Sequence, residues 1–95
     1  MEPSIVPAEV RIPTILRTYT DGAKVVQAEG TDVAGVLVDL DAQFPGIRER
    51  LVEESGLRRF VNVYVNDEDV RFQEGLATVV PDGATVTILP AVAGG

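Results

Sequence analysis

The chain of 95 residues has no cysteine, no histidine and no tryptophan. Without cysteine there is no disulfide framework, no thiolate nucleophile and no zinc-finger spacing. Without histidine the usual general base and the commonest transition-metal ligand are both missing. Basic residues are scarce as well: eight Lys and Arg stand against fifteen Asp and Glu, a net charge of −7. Phosphate contacts depend on clustered cations, so this balance argues against nucleic acid and against an anionic membrane face as partners. No apolar run approaches the length of a membrane-spanning helix. The start, MEPSIVPAEV, lacks the basic and long apolar regions of a secretory signal. The expectation is a cytoplasmic protein with residues 1–8 as a disordered lead-in.

The search for an enzyme site is nearly empty. No Gly-rich phosphate loop occurs, and serine is found only at positions 4 and 55, neither in a nucleophile-elbow context. The run Asp67-Glu68-Asp69 reads as a solvated acidic turn. Asp39 with Asp41, and Glu49 with Glu53 and Glu54, read as solvent-facing helix charge. Neither catalytic residues nor a metal site nor a bound cofactor is predicted.

What is present is a foldable pattern. Hydrophobic residues make up 45% of the chain, enough for one small domain and too little length for a second core. Residues 9–17, EVRIPTILR, alternate as a strand does, with a bulge or strand end expected near Pro13 because proline cannot donate to a ladder. Asp21-Gly22 supplies a tight turn, so residues 23–28 should return antiparallel. Thr31 or Asp32 caps a helix whose apolar face is Val33, Val36, Leu37, Leu40 and Phe44, stopped by Pro45-Gly46. Ile47, Leu51 and Val52 suggest a further short helical segment. Strands resume at 61–65, turn at Asn66-Asp67 towards a short strand at 70–72, and end with a last strand after Pro81-Asp82-Gly83. That order predicts an α+β fold with the main helix packed across a sheet and the last strand central, beside the first.

Two features remain. If Val61, Val63 and Val65 face the helix, then Phe60 and Tyr64 face the other side of the sheet, together with Thr85, Thr87 and Leu89. Such a face either docks a partner or is ordinary scattered surface, and the residues alone leave both open. The chain then runs TILPAVAGG. Gly94-Gly95 has no side chains and fits a channel too narrow for other residues, Pro90 favours an extended exit, and Ala91, Val92 and Ala93 suit a partner's groove. On these grounds a reactive terminus and an idle tail both fit.

The β-β-α-β order, the proline exit and the diglycine together resemble the ubiquitin-like, β-grasp sulfur carriers. That family includes the small subunit of molybdopterin synthase and the thiamine sulfur carrier. IPTILR, RFVNVYVNDEDVRF and VTILPAVAGG most resemble its members linked to cysteine synthase, and the similarity covers about residues 9–95. Molybdopterin-type carriers usually have Pro-Pro where Pro90 is followed here by Ala91. The resemblance implies a mixed β-grasp sheet over 9–90, with a main helix and a short second one, and a flexible tail at 91–95. It also implies a carrier without catalytic residues of its own. A partner adenylyltransferase/sulfurtransferase would use ATP to join AMP to the carboxylate of Gly95, and sulfur would displace AMP to leave a thiocarboxylate. Pro90, Ala91, Val92, Ala93 and Gly94 would thread the tail into partner active sites, with Phe60, Tyr64 and Leu89 as the partner-binding face. The acceptor would be a pyridoxal-phosphate-dependent cysteine synthase, with a zinc metalloprotease releasing cysteine. Molybdopterin, thiamine or thiosugar synthesis, or use as a protein modifier joined to lysines, are the alternatives within the family.

Overall fold

The computed structural model of the chain describes residues 6–54 and 56–90. Strand β1 (Ala8–Arg11) pairs antiparallel with β2 (Val25–Ala28), the expected hairpin. β1 takes in Ala8, from the stretch expected as lead-in, and the strand expected over 9–17 ends at Arg11. Pro13 is the reason: it lacks an N–H for the ladder, and the chain leaves it as a 3₁₀ turn over Thr14–Leu16. Asp21 and Gly22 do adopt positive φ, 54° and 87°. They close this turned segment rather than joining the strands directly.

Helix α1 (Val33–Gln43) buries Val33, Val36, Leu37 and Leu40, as its spacing requires. Asp32 caps it, its carboxylate accepting from the Gly35 N–H at 2.8 Å. Gly30 is needed by close approach: a Cβ there would stand 2.4 Å from the Val36 nitrogen. Asp39 and Asp41 are not merely solvated charge. Asp39 accepts from the Glu29 N–H at 2.9 Å, holding the end of β2 to the helix. Asp41 accepts from the Gly46 and Arg48 N–H groups at 3.0 and 3.1 Å, capping the short helix α2 (Ile47–Leu51).

After α2 come two-residue strands β3 (Val52–Glu53) and β4 (Gly56–Leu57), paired with each other. β5 (Val61–Val65) follows, then a turn at Asn66-Asp67 into β6 (Glu68–Asp69). The strand expected at 70–72 is a 3₁₀ turn, because the tight turn pairs 68–69 at once and the Asp69 carboxylate then accepts from the Arg71 N–H. β7 (Thr85–Pro90) closes the fold.

The main sheet has the order β2-β1-β7-β5-β6. β1 and β7 are parallel and the other pairs antiparallel, so the last strand does lie centrally beside the first. A parallel pair needs a crossover, which here contains α1. Val10, Val63, Val86 and Ile88 from the sheet and Leu37, Leu40, Ile47 and Leu51 from the helices are all at most 1% exposed, and they form the core. Burial on this side leaves the other sheet face open at the strands' alternate positions.

Candidate functional site at the end of strand β7

The ladder between β5 and β7 ends with Pro90 opposite Val61. Proline is tolerated at a strand end, where a missing N–H costs little. Ala91, Val92, Ala93, Gly94 and Gly95 lie outside the described residues, so the site consists of what surrounds Pro90.

The register sets the open face in rows. Val25, Arg11, Thr87, Tyr64 and Asp69 form one line across the sheet. Towards the end of β7, Leu89 lies opposite Asn62. Phe60 sits in the turn before β5, closed by the Val61 N–H donating to the Arg58 carbonyl at 3.0 Å. Arg71 braces that turn, donating to Asn62 Oδ1 at 2.6 Å and to the Arg58 carbonyl at 2.7 Å.

Of the three residues expected on the open face, the structure sets Phe60 and Leu89 beside the end of β7, 63% and 44% exposed. Tyr64 is half-buried one row further in, opposite Thr87. A third apolar side chain, Ile15, is 68% exposed and stands between two grooves. One groove runs along the ends of β1 and β7 and is lined by Arg11, Arg17, Lys24, Leu89 and Pro90, among others. The second is lined by Tyr19, Arg50, Arg58, Phe60 and Val61, among others. Arg50 donates to the Tyr19 hydroxyl at 2.6 Å, with its guanidinium 5.8 Å from the ring centroid.

Sequence reasoning missed Ile15 and these cations. In EVRIPTILR the alternation sets Ile15 in phase with Arg11 and Arg17, opposite the buried Val10, Ile12 and Leu16, so an apolar residue stands on the exposed phase. The Pro13-Thr14 pair, which starts the 3₁₀ turn, was a further signal.

A model of the ThiS family matches residues 10–95. The chain belongs to the ThiS family. Sulfur carrier protein CysO of Mycobacterium tuberculosis (strain ATCC 25618 / H37Rv) is 60% identical over 89 residues, covering 90% of this chain and 96% of that protein. Small archaeal modifier protein 3 of Haloferax volcanii is 40% identical over 63 residues, 66% of this chain and 68% of that one. Among solved structures, a chain of the Amycolatopsis orientalis BexX/CysO complex matches with a TM-score of 0.88 and 58% identity, covering 93% of this chain and 99% of that one. Mycobacterium tuberculosis CysO matches with a TM-score of 0.86 and 57% identity, covering 90% and 99%. The mixed sheet crossed by α1, with α2 beside it, is thus the β-grasp, ubiquitin-like fold of ThiS-family sulfur carriers. Among the described residues no helix is long and apolar enough to cross a membrane.

Proposed function

We propose that this ThiS-family protein is a sulfur carrier of the cytoplasm that works through the carboxylate of Gly95. The carrying observation is the 60% identity to a sulfur carrier protein over 90% of the chain, together with a family match that runs through residue 95. A free carboxylate is a poor electrophile. In the proposed cycle an activating enzyme joins the Gly95 carboxylate to AMP from ATP, releasing pyrophosphate. Sulfide attacks the carbonyl carbon and expels AMP. A persulfide attacks in the same way, and a thiol then cleaves the resulting acyl disulfide by forming a disulfide with the donor's sulfur. The product is a thiocarboxylate, whose sulfur is ionised and nucleophilic much as a thiolate is. ATP is the activating enzyme's cosubstrate, and the carrier supplies the reactive end and a recognition surface rather than catalysis.

The surroundings of Pro90 support such a role. Pro90 and the residues after it reach into partner active sites, while Phe60 and Leu89, with Tyr64 further in, meet the partner's surface. Delivery for cysteine synthesis, to a pyridoxal-phosphate-dependent synthase with a zinc metalloprotease releasing the product, is the reading supported by similarity to CysO. The complex of the Amycolatopsis orientalis relative with BexX supports docking on a partner protein.

The test is intact mass spectrometry after incubation with ATP, an activating enzyme and a sulfur donor. The expected result is exchange of one oxygen for sulfur, mapped to Gly95. Adenylate formation with no sulfur gained under any donor would overturn the carrier reading. It would favour a modifier, the reading that similarity to small archaeal modifier protein 3 supports. A ladder of lysine-linked conjugates in cell extract would then be the positive sign.

A further inference from the structure

The charge of this protein is strongly asymmetric around the end of β7. Arg11, Arg17 and Lys24 line one groove there and Arg50 and Arg58 the other, with Ile15 shared between them. These are five of the eight basic residues of the chain. Only Glu9 and Glu49, two of its fifteen acidic residues, line the same grooves. The grooves therefore hold a surplus of three positive charges in a chain of net charge −7.

The charge of these cations is only weakly paired with carboxylates. Arg11 lies 3.5 Å from Glu9 and Arg58 3.6 Å from Glu53, loose pairs between exposed groups that contribute little. Arg17 donates to the Ile12 carbonyl and Arg50 to the Tyr19 hydroxyl, which are neutral acceptors. Among the described residues neither these two nor Lys24 has a carboxylate within ion-pair distance. The same two grooves are lined by Ile15, Phe60 and Leu89, all exposed. Exposed apolar side chains among charged ones suit a protein interface. A surface built for a phosphate backbone would need a cationic track, not three exposed apolar side chains in the same grooves.

We infer that the partners of this carrier dock here with an acidic surface: a rim of carboxylates around an apolar seat, at the mouth through which the tail enters. The inference rests on the carrier reading above and names the chemistry of the partner. Opposite potentials steer the two surfaces together and orient the tail before any tail contact forms. The net charge of −7 opposes approach of such an acidic rim elsewhere, so the cationic grooves favour one pose.

The experiment uses the full chain, unloaded and without ATP, with Amycolatopsis orientalis BexX as the probe, and titrates binding by calorimetry. The paired variant R11E/K24E should bind at least about tenfold more weakly at low salt. The difference should shrink as salt rises from about 0.05 M to about 0.5 M, where screening shortens to a few ångströms. R11Q/K24Q repeats the test with less disturbance of the sheet. E68K/E74K, at the opposite end of β5, is the control and should not weaken binding. Three outcomes overturn the inference: wild-type binding that ignores salt and the reversals, weakening by the control as large as by R11E/K24E, or tighter binding to a duplex oligonucleotide than to BexX. Sulfur loading of Gly95, read separately by mass, tests the carrier reading. A chain that loads normally but docks without regard to these charges sinks this inference alone.

Discussion

Pro90 lies directly opposite Val61, the final pair of the ladder between β5 and β7. That pairing pins the point from which the tail departs, so the reach of Gly95 is set by residues 91–95 alone. Fully extended, they span at most about 18 Å. Deleting Ala93 draws Gly95 back by about 3.5 Å without touching the sheet. Because misplacement by about 1 Å can cost on the order of a hundredfold, sulfur loading by the activating enzyme should fall by at least that factor. The thermal midpoint should stay at the wild-type value. A shortened chain loaded at the normal rate would mean that the arm's length is not part of the mechanism.

Phe60 and Leu89 project from the two strands of this last pair, or beside them, and both are exposed. Truncating either should therefore leave stability within about 0.5 kcal/mol of wild type, as for other surface changes. At a partner interface the same side chains would be central anchors, and Phe60→Ala or Leu89→Ala should weaken binding by about 1–2 kcal/mol. Tyr64→Ala should weaken it less, since Tyr64 is half-buried and lines neither groove. Calorimetric titration beside thermal melts separates these effects. Equal losses of binding and stability would assign the residues to the fold.

The start of α1 carries a separate pair of predictions. At Gly30 a Cβ would meet the Val36 nitrogen at 2.4 Å and the Gly35 carbonyl carbon at 2.6 Å, both backbone atoms of the helix. Side chains cannot swing aside to relieve this, so Gly30→Ala should cost about 1–3 kcal/mol, the range for overpacking. Asp32→Ala removes the cap on the Gly35 N–H and should cost about 1 kcal/mol. Urea denaturation with unchanged slope measures both. A Gly30→Ala midpoint equal to wild type would show that the helix start shifts freely.

These examples mark what was legible. α1 was readable because four buried positions repeat at helical spacing and a capping residue precedes them. The central place of β7 followed from a strongly alternating strand that needed burial on one face. The 3₁₀ turn at Thr14–Leu16 and the strands β3 and β4 were not readable, being too short to show a period. The roles of Asp39 and Asp41 depend on backbone N–H groups that the fold brings up to them. The cationic grooves were the least visible feature. Their members run from Arg11 to Arg58 in the sequence, and the fold gathers them into two neighbouring grooves that share Ile15. By contrast, the reading of the tail came from residue types and resemblance, with no help from geometry.

Lys24 is the only lysine in the sequence, and it lines the groove where β7 ends, beside Leu89 and Pro90. An activated Gly95 carboxylate is open to attack by amines, whereas the guanidinium of arginine stays protonated and does not compete. With ATP and activating enzyme but no sulfur donor, the Lys24 amine should therefore attack the Gly95 carbonyl and expel AMP. Peptide mapping should find a Gly95–Lys24 isopeptide, within one chain or between two. Lys24→Arg removes the amine and keeps the positive charge of the groove. The variant should show no lysine-linked product, and with a sulfur donor present it should load as wild type does. Undiminished self-linked product in Lys24→Arg would move the acceptor to the N-terminal amine. Loss of loading in the same variant would instead show that the amine of Lys24, not only its charge, serves the normal cycle.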